Sequence, residues 1–148
     1  MMRISEEGRS LIKHFEGCKL KAYCCPAGVW TIGVGHTGPD VLEGQRITEE
    51  RADELLAIDL DDSERCVSGN VSVPLTQEQF DALVSLVFNI GCAAFRQSTL
   101  RQMLQDGSDV EAGDQFLRWN KSKGMVLPGL TRRREAERRL FMGLDWKG

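Results

Sequence analysis

The stretch FEGCKLKAYCCPAGVWTIGVGHTG, Phe15–Gly38, gathers the side chains that could do chemistry. It offers the carboxylate of Glu16, the thiols of Cys18, Cys24 and Cys25, the hydroxyl of Thr31 and the imidazole of His36. Three chemistries are open. Zinc would draw on the three thiols and His36. Structural zinc sites, however, pair two knuckles of the form C-x₂₋₄-C, and C-x₅-C-C with one distant histidine matches that poorly. A cysteine nucleophile would need a histidine base and an orienting Asn or Asp. The available set is Cys24 or Cys25 with His36, and Asp40 nearby. A carboxylate enzyme would use Glu16. A helix C-terminus carries partial negative charge and favours the protonated acid, which is the form a general acid for glycosidic cleavage requires.

The elements that must position these groups can be read locally. Ser5 is placed as an N-cap, with Glu6 and Glu7 in the first turn, and Leu11, Ile12 and Phe15 recur at helical spacing. Gly17 can stop that helix, so helix 5–16 ends on Glu16. Lys19–Tyr23 and Val29–Thr37 are expected as strands, joined through Cys25-Pro26-Ala27-Gly28, a type I turn sequence. In the second strand Trp30, Ile32, Val34 and His36 share one side, and Val29, Thr31, Gly33, Gly35 and Thr37 the other. The Thr31 side is nearly bare. Glycine weakens a strand, so its use here implies that something approaches the backbone closely. His36 falls on the packed side and is expected to be structural.

Helices follow. Thr48 caps one expected through Glu64, with Ala52, Leu55, Leu56 and Leu60 facing inward. Thr76 and Gln79 form a capping box opening Gln77–Asn89, and Gly91 is the stop. Ser98 opens a helix to Gln105, Ser108 or Asp109 another to Trp119, and Thr131 a last one through Met142, closed by Gly143. A small β region set early in a mostly helical chain is an α+β pattern.

Composition narrows the function classes. The chain has 148 residues, enough for one domain with a sizeable core. Its net charge of −3 argues against general nucleic-acid binding. No apolar run approaches the roughly 18 residues of a membrane span, so no membrane insertion is expected, and the polar N-terminus carries no signal-peptide pattern. Five cysteines, an odd number without secretory context, favour a reduced start. Cys18–Cys24 and Cys18–Cys25 are the pairings that could block activity if oxidised. Charge is uneven: Asp40–Glu64 holds ten acidic residues, while Arg132, Arg133, Arg134, Arg138 and Arg139 crowd one segment. Both read first as solvated faces, the second also as a basic flank for an anionic polymer such as the bacterial wall.

Glu16, Cys25 and Thr31 at this spacing, followed by Ile32-Gly33-Val34-Gly35-His36-Thr37, resemble the phage lysozymes, or endolysins, of glycoside hydrolase family 24. VPLTQEQFDALVSLVFNIG (Val73–Gly91) resembles that family's central helix, and LPGLTRRREAERRLFMG (Leu127–Gly143) its arginine-rich C-terminal helix. The resemblance implies a lysozyme-like fold, with a small β lobe at about 17–47 and a helical lobe at about 48–148 flanking a cleft in a single domain, 1–148. It implies hydrolysis of the β-1,4 bond between N-acetylmuramic acid and N-acetylglucosamine. Glu16, Cys25 and Thr31 would be the catalytic residues, with no cofactor or metal. An arginine of the 132–134 run would reach Glu16, for which Arg133 is chosen, and Asn89 would line the cleft. It further implies a monomer acting on peptidoglycan, held in the host cytoplasm until a holin releases it. A lytic transglycosylase on the same bond, or a non-catalytic wall-binding module, are the alternatives.

Overall fold

The computed structural model describes residues 2–148 and divides the chain into two compact units. The smaller is Ile12–Asp61; the larger joins the N-terminal residues through Leu11 to Asp62–Gly148. Helices α1 (Glu6–Glu16) and α2 (Glu49–Asn70) each contribute to both.

The smaller unit is built on an antiparallel meander, β1 (Lys19–Cys24), β2 (Trp30–Gly33) and β3 (His36–Thr37). β1 and β2 meet through the expected turn: Gly28 N–H donates to Cys25 O at 2.8 Å and Cys25 N–H to Val29 O at 2.9 Å. Gly28 has φ +82°, so a type I turn ends in a left-handed glycine, a common hairpin form. The single strand expected over Val29–Thr37 is instead two. Gly33 and Gly35, at φ +66° and +73°, turn the chain back on itself. Thr31 then pairs with Thr37 and Ile32 with His36, so the alternation of faces survives although the strand does not. Residues Gln45 and Ile47 bond along the other edge of β1. Ala22, Ile32, Val41 and Leu55 form the core, with Trp30 and Ile47 against it. The unit spans more than 17–47 because the last turn of α1, from Ile12, and the first part of α2, through Asp61, belong to it.

In the larger unit α3 (Gln77–Ile90) is buried from Phe80 through Val87 and carries the complete capping box at Thr76 and Gln79. A helix apolar on nearly every side has to be surrounded. Its main partner is α7 (Pro128–Phe141). α7 starts earlier than Thr131, with Pro128 in its first turn, where a missing N–H costs nothing. α5 (Thr99–Gln105) takes Ser98 as its cap, as expected. α6 (Asp109–Gln115) gives way to a 3₁₀ turn, Phe116–Arg118, short of Trp119. Two elements were not anticipated: α4 (Cys92–Arg96) and a hairpin, β4 (Lys121–Ser122) with β5 (Met125–Val126). α2 also runs six residues past Glu64.

The cysteines differ from expectation. Cys66 and Cys92 form a disulfide joining α2 to α4, while Cys18, Cys24 and Cys25 are free thiols. The Cys18 pairings considered above are therefore not made. The arginine segment is corrected too. Arg133 and Arg134 are 4% and 0% exposed, so they lie in the core rather than on a solvated face.

Candidate active site

α1 ends on Glu16. Gly17, at φ +78°, donates its N–H to Lys13 O at 2.8 Å and leaves Glu16 as the last helical residue. The half-buried Glu16 carboxylate lies against the glycine turn: a Cβ on Gly35 would sit 3.3 Å from Glu16 Oε1. At Gly35 the close approach that a glycine implies is thus that of the carboxylate itself, whereas at Gly33 it is that of Ala52 and Ile47. Lys13 Nζ pairs with Asp53 Oδ1 at 2.7 Å, tying the end of α1 to α2.

Cys25 sits at the start of the β1–β2 turn. Its pKa is lowered, first by the backbone amide of Val29, then by that of Ala27, against desolvation, with lesser help from the Thr31 hydroxyl and Gly28 N–H. Donors aimed at a sulfur favour its thiolate. Thr31 Oγ1 donates to Val29 O at 3.1 Å, at the far end of the turn that Cys25 opens. Thr31 itself is 4% exposed, while Val29, Gly35 and Thr37 on the same face of the hairpin are exposed.

His36 bridges two carboxylates. Nδ1 is 2.8 Å from Asp59 Oδ2 and Nε2 is 3.0 Å from Asp40 Oδ2. Desolvation of the ring opposes its charge, but Asp59 and Asp40 outweigh it and the His36 pKa is raised. Asp40 is held below the usual range, chiefly by that hydrogen bond. With both ring nitrogens occupied by acids, His36 is not placed to serve a cysteine as base. Among the described residues no group of three or more His, Cys, Asp or Glu side chains is placed to hold a metal ion.

Asn89 and Arg133 belong to the larger unit. Asn89 Oδ1 accepts from Arg134 Nη2 at 2.8 Å. Arg133 Nε donates to Glu137 Oε2 at 3.2 Å, and its Nη2 to Ser85 O at 3.3 Å. Arg134 Nε lies 2.9 Å from Glu137 Oε1, and Ser85 Oγ donates to Glu137 Oε2. Burial pushes Glu137 above the ordinary carboxylate range, against the pull of Arg134 and Arg133. The i,i+3 and i,i+4 spacing of Arg134, Arg133 and Glu137 was readable as a helix-face pattern. Its burial was not.

A small meander, a helix-terminal glutamate and a bundle around an apolar central helix define the lysozyme-like class of fold. The chain belongs to the phage lysozyme family, whose model matches residues 13–137. It is 46% identical over 144 residues to an endolysin of Acyrthosiphon pisum secondary endosymbiont phage 1, covering 95% of this chain and 98% of the relative. A crystal structure of a P22 lysozyme mutant superposes with TM-score 0.90 at 46% identity, covering 96% of this chain and 99% of that one. The muramidase domain of SpmX from Asticaccaulis excentricus does so with TM-score 0.88 at 44% identity, covering 96% and 99%.

Proposed function

We propose that the chain is a peptidoglycan-degrading muramidase in which Glu16 is the general acid and Cys25 and Thr31 handle the water. The observation that supports this most directly is the seating of the Glu16 carboxylate against the bare backbone of Gly35, within the unit that also holds the Cys25–Thr31 pair. Glu16 donates its proton to the glycosidic oxygen as the bond to N-acetylmuramic acid breaks. The Thr31 hydroxyl, able to donate and accept, orients the attacking water. Cys25, with its thiolate favoured, receives the water's proton. A fixed thiolate is a weaker charge stabiliser than a carboxylate, and the turn amides offset part of that difference.

The enzyme works as a monomer without a cofactor and reaches the wall through a pore supplied by a separate holin. Asn89 contributes to the sugar-binding surface. The test is clearing of chloroform-treated Gram-negative walls by wild type, Glu16→Gln, Cys25→Ser and Cys25→Asp, with mass analysis of the fragments. Loss of clearing in Glu16→Gln, reducing muramic acid ends, and restoration by Asp after loss by Ser are expected. Anhydromuramic ends would overturn hydrolysis in favour of a transglycosylase. Full clearing by Glu16→Gln would overturn the acid assignment.

A further inference from the structure

The β4–β5 hairpin has no place in the catalytic reading, and its surface is unusual for this chain. Every residue from Lys121 to Gly129 is exposed. Met125, Val126 and Leu127 are 69%, 55% and 41% exposed, so three consecutive large apolar side chains stay in water. Lys123 and Gly124, at φ +52° and +81°, make a two-residue type I′ turn, which gives a tight projecting tip. Lys121 pairs with Val126 and Ser122 with Met125, so each face of the tip carries an apolar side chain.

Along the sequence, the charge flanking this tip is one-sided between Asp114 and Glu135. Gln115–Arg134 holds six basic residues and no acidic one, in a chain whose net charge is −3. Arg133 and Arg134 are consumed in the core. Lys121 and Lys123 lie in the hairpin itself, and Arg118 and Arg132, exposed as well, flank it in sequence. Small anionic ligands bind in concave sites with converging donors. A tight hairpin tip with exposed apolar side chains and its own lysines fits an extended anionic surface that is apolar just beneath.

We propose that this hairpin is a peripheral docking tip for an anionic lipid surface. Met125, Val126 and Leu127 enter the boundary between headgroups and acyl chains, and Arg118, Lys121, Lys123 and Arg132 face the anionic headgroups. The contact is peripheral: among the described residues no helix is long and apolar enough to cross a membrane.

The test is co-sedimentation of the full chain with vesicles of mixed phosphatidylglycerol and phosphatidylcholine, and with phosphatidylcholine alone, at low and high salt. Wild type is expected to bind the anionic vesicles, to ignore the neutral ones, and to bind less at high salt. Lys121→Ser/Lys123→Ser should weaken binding about 30-fold, the worth of two cations at such a surface. Met125→Ser/Val126→Ser should weaken it while leaving its salt dependence in place. Arg96→Ser/Lys147→Ser removes the same charge at exposed positions elsewhere and should bind as wild type does. Unchanged thermal midpoints show that the variants are folded. The proposal is overturned if wild type does not bind anionic vesicles, or if the Arg96/Lys147 variant loses as much as the hairpin variants. It is also overturned if the hairpin variants lose binding to lipid-free sacculi but not to vesicles, which would assign the surface to the wall.

Discussion

Removing the Cys66–Cys92 bond should cost a defined amount of stability. The two cysteines are 26 residues apart in sequence, and the bond joins α2 to the start of α4 within the larger unit. In the loop-closure account, freeing a closed loop of that length adds about 12 cal/mol/K to the unfolded chain's entropy, or about 3.5 kcal/mol at room temperature. For a chain of this size that corresponds to a fall in thermal midpoint of about 7–14 °C. Two perturbations separate the bond from the packing. Reduced wild type keeps both side chains, whereas Cys66→Ala/Cys92→Ala removes the sulfurs, one of them on the 6%-exposed Cys66. Calorimetry of oxidised, reduced and doubly substituted protein is the assay, with a thiol count beside it. The oxidised form should show three free thiols, Cys18, Cys24 and Cys25. A reduced protein melting within about a degree of the oxidised one would refute the loop-closure reasoning. Five reactive thiols after mild oxidation would refute the bond itself.

Gly35→Ala and Gly44→Ala share a similar backbone cost, about 1–2 kcal/mol for a side chain at φ +73° or +79°. Only the first meets Glu16, since nothing lies within 4 Å of a Cβ at Gly44. Comparable drops in thermal midpoint are expected, with a several-fold loss of wall-clearing rate in Gly35→Ala alone, because the proposed acid, Glu16, would be displaced by a fraction of an ångström; equal rates would sever Gly35 from that role. His36→Asn should destabilise by about 2 kcal/mol near pH 5, where a charge-assisted hydrogen bond is lost. The folded pKa of His36 is raised, so its contribution is full below the unfolded value of about 6.5 and fades as pH climbs through the folded value. The lowered Asp40 works in the opposite direction, with its contribution lost as pH falls through its own folded value. Denaturant midpoints of both proteins from pH 3 to pH 9 check the window, and a variant deficit that grows with alkalinity would contradict it. Glu137→Ala leaves Arg133 and Arg134 buried without their carboxylate and should cost about 3–5 kcal/mol in urea unfolding; a loss below about 1 kcal/mol would mean the network is not ionic.

Local chemistry was legible in the chain because it needs only neighbours. The Thr76–Gln79 box, the stop at Gly17 behind Glu16, the Thr48 cap and the Cys25–Gly28 turn all depend on residues a few positions apart. The glycine run Gly33–Gly35 announced a close approach without naming the partner. It reads as one strand because period-two alternation is preserved across a tight turn, so the pattern does not distinguish a strand from a hairpin.

The amino-acid sequence by itself determined that this is an α+β chain with an acid at a helix end, a turn carrying Cys25, a strand carrying Thr31 and one central apolar helix. Each follows from periodicity, capping or turn preference, which act within a few residues. Tertiary structure alone decided which cysteines bond, that Thr31 is covered, that His36 lies between Asp40 and Asp59, and that Arg133 and Arg134 enter the core around Glu137. A run of arginines reads as solvent-facing until a buried carboxylate and a hydroxyl from another helix are found beside it. Burial and long-range pairing depend on what the fold brings near, and no local pattern carries that information.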